Sequence, residues 1–214
     1  MTIVAEDKAI RIEKLDPGGE QWANAYLLTC LQTGESVLVD APGRLEKMQP
    51  QVAGKGVKYI LMTHNHSDHI GALLGLKAEL KVPVAGHEAD APKYPVPLDI
   101  RLNDGDKLTF GRLEIKVLHT PGHTRGSLAF LVGKYLIAGD TIFPHGPGHT
   151  ISPAGFHQIV KSLTEKVFVL PDGTLVFPGH GDGTVLGKEK EEFRVFSSRT
   201  HSPDLCGDVL WLES

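Results

Sequence analysis

Four apolar runs in this chain each end on a side chain that can hold a metal ion. Tyr59-Ile60-Leu61-Met62-Thr63 leads to His64, and Ile115-Lys116-Val117-Leu118 leads through His119-Thr120-Pro121-Gly122 to His123. Tyr135-Leu136-Ile137-Ala138-Gly139 leads to Asp140, and Leu175-Val176-Phe177-Pro178-Gly179 leads to His180. Short apolar runs of this kind read as buried strands. In layered α/β proteins the loops past the strand ends are where sites form. Glycine precedes His123, Asp140 and His180, which lets the backbone approach closely.

Other segments complete the pattern. Ala9–Leu15, Ala25–Leu31, Ser36–Val39 and Val82–Gly86 read as strands, as do Lys107–Phe110 and Leu113–Leu118. Ser127–Val132 and Tyr135–Ala138 read as a hairpin around Gly133-Lys134, and Thr174–Phe177 and Val209–Leu212 as further strands. His69–Leu80 has a helical period that places Ile70, Leu73, Leu74 and Leu80 on one face. A short helix over Arg44–Val52 is interrupted by Pro50, and residues 91–97, with three prolines, read as a loop. Ser152 followed by Pro153 reads as an N-cap and first-turn pair for a helix near 153–166, with Phe156, Ile159, Val160 and Leu163 on its buried face. Lys188–Phe196 is a charged short helix. Strands come in runs, each followed by helices, so helices outside a pair of sheets are the natural packing.

Composition narrows the function class. The formal net charge of −4 and the lack of a basic block give no nucleic-acid footprint. No apolar run reaches the length of a membrane span. Met1–Ile10 carries Glu6, Asp7 and Lys8, so no signal-peptide core is expected there. Two cysteines, Cys30 and Cys206, form no disulfide framework, and the chain reads as a cytoplasmic protein. We expect one domain over residues 1–214.

Thr63-His64-Asn65-His66-Ser67-Asp68-His69 concentrates three histidines and one aspartate. Imidazole and carboxylate donors suit zinc and similar divalent ions. Alternate residues of an extended loop point the same way, so His64 and His66 can share one ion. Asp68 and His69 open the following helix and point elsewhere. The stretch can therefore serve two ions about 3.5–4 Å apart, with His123, Asp140 and His180 completing the set. Taken alone, Asp68 could be a helix cap. His87 and His157 read as satisfied or exposed histidines, and His119 as a residue behind the ligands at most.

The Thr63–His69 stretch resembles the H-x-H-x-D-H signature of metallo-β-lactamase-fold hydrolases. Thr120-Pro121-Gly122-His123-Thr124, Ala138-Gly139-Asp140-Thr141 and Phe177-Pro178-Gly179-His180-Gly181 resemble the later ligand motifs of that family, in order. Val37-Leu38-Val39-Asp40, followed by Gly43, looks like its early strand and turn. Within the family the chain is most similar to the glyoxalase II (hydroxyacylglutathione hydrolase) branch, in a compact, short-chain form. The resemblance implies an α+β fold: an αββα sandwich of two mixed sheets packed face to face, with helices outside. It implies that His64, His66 and His123 hold one metal, Asp68, His69 and His180 a second, and that Asp140 bridges them. Asp40 would stand behind the ligands.

The activity implied is hydrolysis of an activated carbonyl by hydroxide generated between two divalent ions, zinc first and iron or manganese next. Asp68 would aim the hydroxide. A thioester of a small-molecule acyl group fits best, because a thiolate leaves without a protonated acid. A lactonase or weak β-lactamase could use the same residues. A persulfide dioxygenase would use one iron on His64, His123 and Asp140. A nuclease is disfavoured by the missing basic groove, and a closed structural zinc site by the surplus of ligands. The chain departs from the branch in three places. The stretch after His180 is mostly acidic or apolar, where glyoxalase II proteins carry basic side chains for glutathione. Gly181-Asp182-Gly183 stands where a tyrosine is usual, and His149 stands where a glycine-arginine pair usually ends the loop after Asp140. His145 and His149 could line the substrate mouth or be exposed loop histidines.

Overall fold

The computed structural model describes residues 1–214. The chain builds two sheets in sequence. The first contains β1 (Thr2–Glu6), β2 (Ile10–Leu15), β3 (Ala25–Cys30) and β4 (Ser36–Val39), each antiparallel to the next. Helix α1 (Leu45–Val52) then crosses to β5 (Val57–Leu61). Helices α2 (Ser67–Ile70) and α3 (Leu73–Leu80) cross to β6 (Val84–Gly86), and β7 (Ile100–Arg101) ends the sheet. Crossovers of this kind permit parallel pairing, and β4 to β7 are parallel.

The second sheet starts with β8 (Lys107–Phe110), β9 (Leu113–His119), β10 (Leu128–Val132) and β11 (Tyr135–Gly139), an antiparallel meander. A small hairpin comes next, β12 (Ile142–Phe143) and β13 (Gly146–Pro147), and then α4 (Pro153–Ser162). Strand β14 (Leu175–Pro178) pairs parallel with β11, and β15 (Thr184–Val185) leads into α5 (Leu186–Ser197). The order in space is β15-β14-β11-β10-β9-β8.

Three buried clusters show why the strands are apolar on both faces. Between the sheets lie Ile12, Leu28 and Val39 from the first and Phe110, Val117, Phe130 and Ile137 from the second. The outer face of the first sheet buries Leu27, Leu38 and Ile60 against Met48 and Val52 of α1 and Leu73 and Leu76 of α3. The outer face of the second buries Leu136, Ala138 and Val176 against Phe156 and Ile159 of α4 and Phe196 of α5. Successive residues of a strand point to opposite faces, so adjacent Leu27 and Leu28 serve different layers. The result is the expected αββα sandwich. No helix is long and apolar enough to cross a membrane.

Several local expectations change. The helix expected over 69–80 is two pieces. Between them the Ala72 N–H donates to the Ala41 carbonyl, and the Ala41 N–H donates to the His69 carbonyl. That pairing breaks the helix at Gly71-Ala72 and shifts the phase of α3, leaving Leu74 60% exposed rather than in the core. Pro50 lies within α1 instead of interrupting it. Residues 88–93 form a short 3-10 helix. The Val209–Leu212 segment is irregular, although Val209 and Trp211 are buried. Its backbone pairs with the loop after Asp140 through Trp211 N–H to His145 O rather than with a strand. β1 was not expected: its outer residues are polar or exposed, so it carries little apolar signal. Both cysteines are free, and Cys30 is buried as expected.

Candidate metal centre

The loop after β5, the loop after β9, the end of β11 and the end of β14 meet at one edge of the sandwich. They bring seven side chains together. The ligand-capable atoms form three overlapping groups: His64, His66 and His123; His64, His69 and Asp140; and Asp68, His69 and His180. The first and third groups are the two sets implied by the resemblance, and Asp140 falls between them.

Hydrogen bonds at the back of each ring fix which nitrogen faces the centre. The His123 Nδ1–H donates to the His149 carbonyl, 2.8 Å away, because a carbonyl only accepts. The Thr63 hydroxyl donates to Asp40 Oδ2 at 2.7 Å, so it accepts from His64 Nδ1–H at 3.1 Å. The His69 Nδ1–H donates to Asp40 Oδ2 at 2.8 Å. Rings held this way turn the Nε2 atoms of His64, His69 and His123 inward. His66 offers Nδ1 instead, 3.1 Å from His64 Nε2 and 2.9 Å from His123 Nε2.

Asp140 sits at the middle. Its Oδ1 is 3.4 Å from His69 Nε2, and its Oδ2 is 3.4 Å from His123 Nε2, 3.7 Å from His180 Nε2 and 4.0 Å from His64 Nε2. Asp68 Oδ2 stands 3.0 Å from His180 Nε2 and 3.8 Å from His69 Nε2. Two glycines make room. A Cβ on Gly179 would lie 2.0 Å from Asp140 Oδ1, and one on Gly148 would lie 1.8 Å from the Asp140 carbonyl.

The electrostatics match this geometry. Burial and the neighbouring imidazoles hold His64 well below the usual histidine range, and burial and His123 do the same, less strongly, for His66. Burial also opposes charge on His69, but Asp40 and Asp140 override it and push this group up to about 10, so its Nε2 proton would have to leave as an ion binds. The His180 hydrogen bond holds Asp68 down at about 2. Burial works against the Asp140 carboxylate, yet His69, His123 and His180 keep it below the usual range. His69 Nε2 and Asp140 Oδ1 nevertheless lack any hydrogen-bond partner: at 3.4 Å they are attracted without a good bond. Two orphaned buried atoms facing each other, beside imidazole lone pairs within about 3 Å, fit divalent cations. The mixed nitrogen and oxygen donors suit zinc or iron.

The remaining sequence candidates fall in different places. Asp40 lies directly behind His64 and His69, with Thr63 as its other partner. His149 borders the cleft beside His123, and its Nδ1 pairs with Asp208 at 2.9 Å. His145 does not reach the mouth. It donates to Glu192 at 3.0 Å, because the left-handed turn at φ 72 and the bond from its N–H to Glu189 direct it toward α5. His119 touches none of the seven: it stacks on His87 at 4.0 Å and donates to the Arg125 carbonyl. Sequence reasoning missed Asp90, a buried carboxylate that accepts from Thr124 Oγ1 and Gly126 N–H and so braces the His123 loop. It sits in Glu88-Ala89-Asp90-Ala91-Pro92, where no spacing signal marks it.

The comparisons with known proteins agree with this picture. Residues 19–180 match the family model of the metallo-beta-lactamase superfamily. The hydroxyacylglutathione hydrolase of Ruegeria pomeroyi is 36% identical over 160 residues, covering 73% of this chain and 61% of that enzyme. The crystal structure of the BLEG-1 B3 metallo-beta-lactamase superposes with a TM-score of 0.76 at 28% identity, over 84% of this chain and 96% of that one. A protein solved in a di-iron-bound form, TTHA1623, gives 0.71 at 32% identity, over 82% of this chain and 96% of that one. With the family model spanning most of its length and the donor set gathered at one sheet edge, the chain belongs to the metallo-β-lactamase superfamily.

Proposed function

We propose that this protein is a dinuclear metal-dependent hydrolase of activated carbonyl compounds, with thioesters of small acyl groups as its preferred class. One observation carries the reading: His69 Nε2 and Asp140 Oδ1, both buried and unpartnered, face each other between two triads of donors. His64, His66 and His123 would hold one ion, Asp68, His69 and His180 the other, with Asp140 between. Divalent ions supply Lewis acidity, which activates water and polarises a carbonyl. The chain's own groups do the rest. Thr63 and Asp40 hold the Nδ1–H groups of His64 and His69, so that Nε2 of each ring would be the atom offered to an ion. Asp68 is ionised through the neutral range and 31% exposed, so it can accept a hydrogen bond from a water and orient it. With all seven side chains assigned to the ions, the centre would keep no spare acid for a poor leaving group. That favours a thiolate over an amide nitrogen. The hydroxyacylglutathione hydrolase relative supports the same class.

The test is metal quantification on purified protein, paired with a panel of S-lactoylglutathione, homoserine lactones and nitrocefin. Two zinc, iron or manganese ions per chain and preferential thioester cleavage are expected. His64→Ala should lose metal and turnover together. Retained hydrolysis at normal metal content in that variant would sink the assignment. One iron per chain with oxygen consumption on glutathione persulfide would replace the hydrolase reading with a dioxygenase.

A further inference from the structure

Beside His66 and His123 opens a cleft of about 620 Å³, the size of a small-molecule site. Lys93 and Arg125 line it, and neither has an ion-pair partner. Asp90 also borders it, but both its oxygens are occupied by Thr124 and Gly126. Asn65 forms part of the cleft wall: it is only 7% exposed, and its Nδ2 donates to the Asp90 carbonyl at 3.3 Å. Ile151, 90% exposed, forms an apolar lip.

The opposite side of the metal centre has no such excess of cations. There a cavity of about 590 Å³ beside His180 is bordered by Asp16 and Glu20 and by the Met1 amino group and Lys14, which donates to the Gly181 carbonyl at 2.9 Å.

We propose that Arg125 and Lys93 make the His66–His123 cleft a specificity pocket for a substrate arm that ends in an anion. The inference rests on the hydrolase reading for the reacting group, and on the cleft alone for the charge of the arm.

The test uses the metal-loaded full chain and two matched pairs of thioesters. S-Acetyl mercaptopropionate carries the anion on the thiol side and S-ethyl thiosuccinate on the acyl side; each is compared with its uncharged N-methylamide. We expect kcat/KM to favour the anion by roughly tenfold or more in at least one pair, the scale of one charge-assisted contact. In the double variant K93E/R125E that preference should vanish or invert, and in the wild type it should shrink as salt is raised. No preference in either pair, or the same preference in the variant, overturns the proposal. If no thioester is cleaved at all, the hydrolase reading fails and binding decides the pocket. The uncleavable thioether S-ethyl mercaptopropionate should then bind wild-type protein, metal-loaded or stripped, roughly tenfold tighter than its N-methylamide by calorimetry. The variant should lose that margin, and equal binding to wild type overturns the pocket.

Discussion

Asp40 meets three donors with one carboxylate: the Thr63 N–H and hydroxyl and the His69 Nδ1–H. It does so from the left-handed region, at φ 60, which aspartate and asparagine tolerate better than most residues. Asp40→Asn keeps that backbone and the side-chain volume but turns one acceptor into a donor. Whichever way the amide sits, a Thr63 or His69 donor then faces an N–H. The tautomer of His69 is no longer enforced, and metal affinity should fall about 10–100-fold. A chelator-competition titration reads this directly, with circular dichroism to show an unchanged fold. Undiminished affinity would detach Asp40 from the site.

At the scale of elements, the turn between β1 and β2 is tied to the second sheet. Asp7 accepts from Ala9 N–H at 2.8 Å and from the Tyr135 hydroxyl, at the start of β11, at 2.9 Å. The Ala9 bond is the main reason the Asp7 carboxyl sits below its ordinary value of 3.8. Burial, then Asp7, pushes Tyr135 up to about 12. The signs differ at the two ends. A lowered carboxyl adds stability that is full above the unfolded value and is lost as pH falls through the folded one. A raised tyrosine adds stability that is full below about 10 and is lost as pH rises through about 12. Asp7→Asn should therefore destabilise metal-stripped protein at neutral pH, by about 0.5 kcal/mol given the exposure of Asp7. The gap should close in acid, below the folded value. Denaturant titrations of both proteins at neutral and acidic pH test it. A gap that persists in acid would assign the effect to packing.

For the whole molecule, the metal centre joins both sheets through their loops. His64, His66, Asp68 and His69 come from the first sheet, and His123, Asp140 and His180 from the second. Ions bound there stabilise only the folded chain. At a free metal concentration near 100 times Kd the gain is about 2.7 kcal/mol. For a chain of this length that is about 5–10 °C in Tm. Calorimetry with a chelator, then with zinc or iron restored, should show the shift and its reversal. Identical melting in both states would mean that these groups hold no ion.

Much of this was legible in the chain itself. The four apolar runs specify strands and four of the ligand candidates, and the Thr63–His69 stretch supplies the other three, because strand burial and ligand chemistry are both written in residue type and local order. The N-cap at Ser152 was readable for the same reason: its Oγ accepts from Gly155 N–H at 3.2 Å through strictly local geometry. What residue type alone could not decide are the contacts made across large sequence distances. The pairing of Ala41 with residues 69–72 split a helix whose period was continuous and exposed Leu74. The bonds to Glu189 and Glu192 took His145 away from the cleft, and the stack with His87 took His119. Asp90, Asn65 and the unpaired Lys93 and Arg125 acquire meaning only because the folded sheets bring residues 65, 90, 93 and 125 to one wall. Local order determines which groups can bind a metal, whereas long-range hydrogen bonding and packing decide which of them face it and what surrounds them.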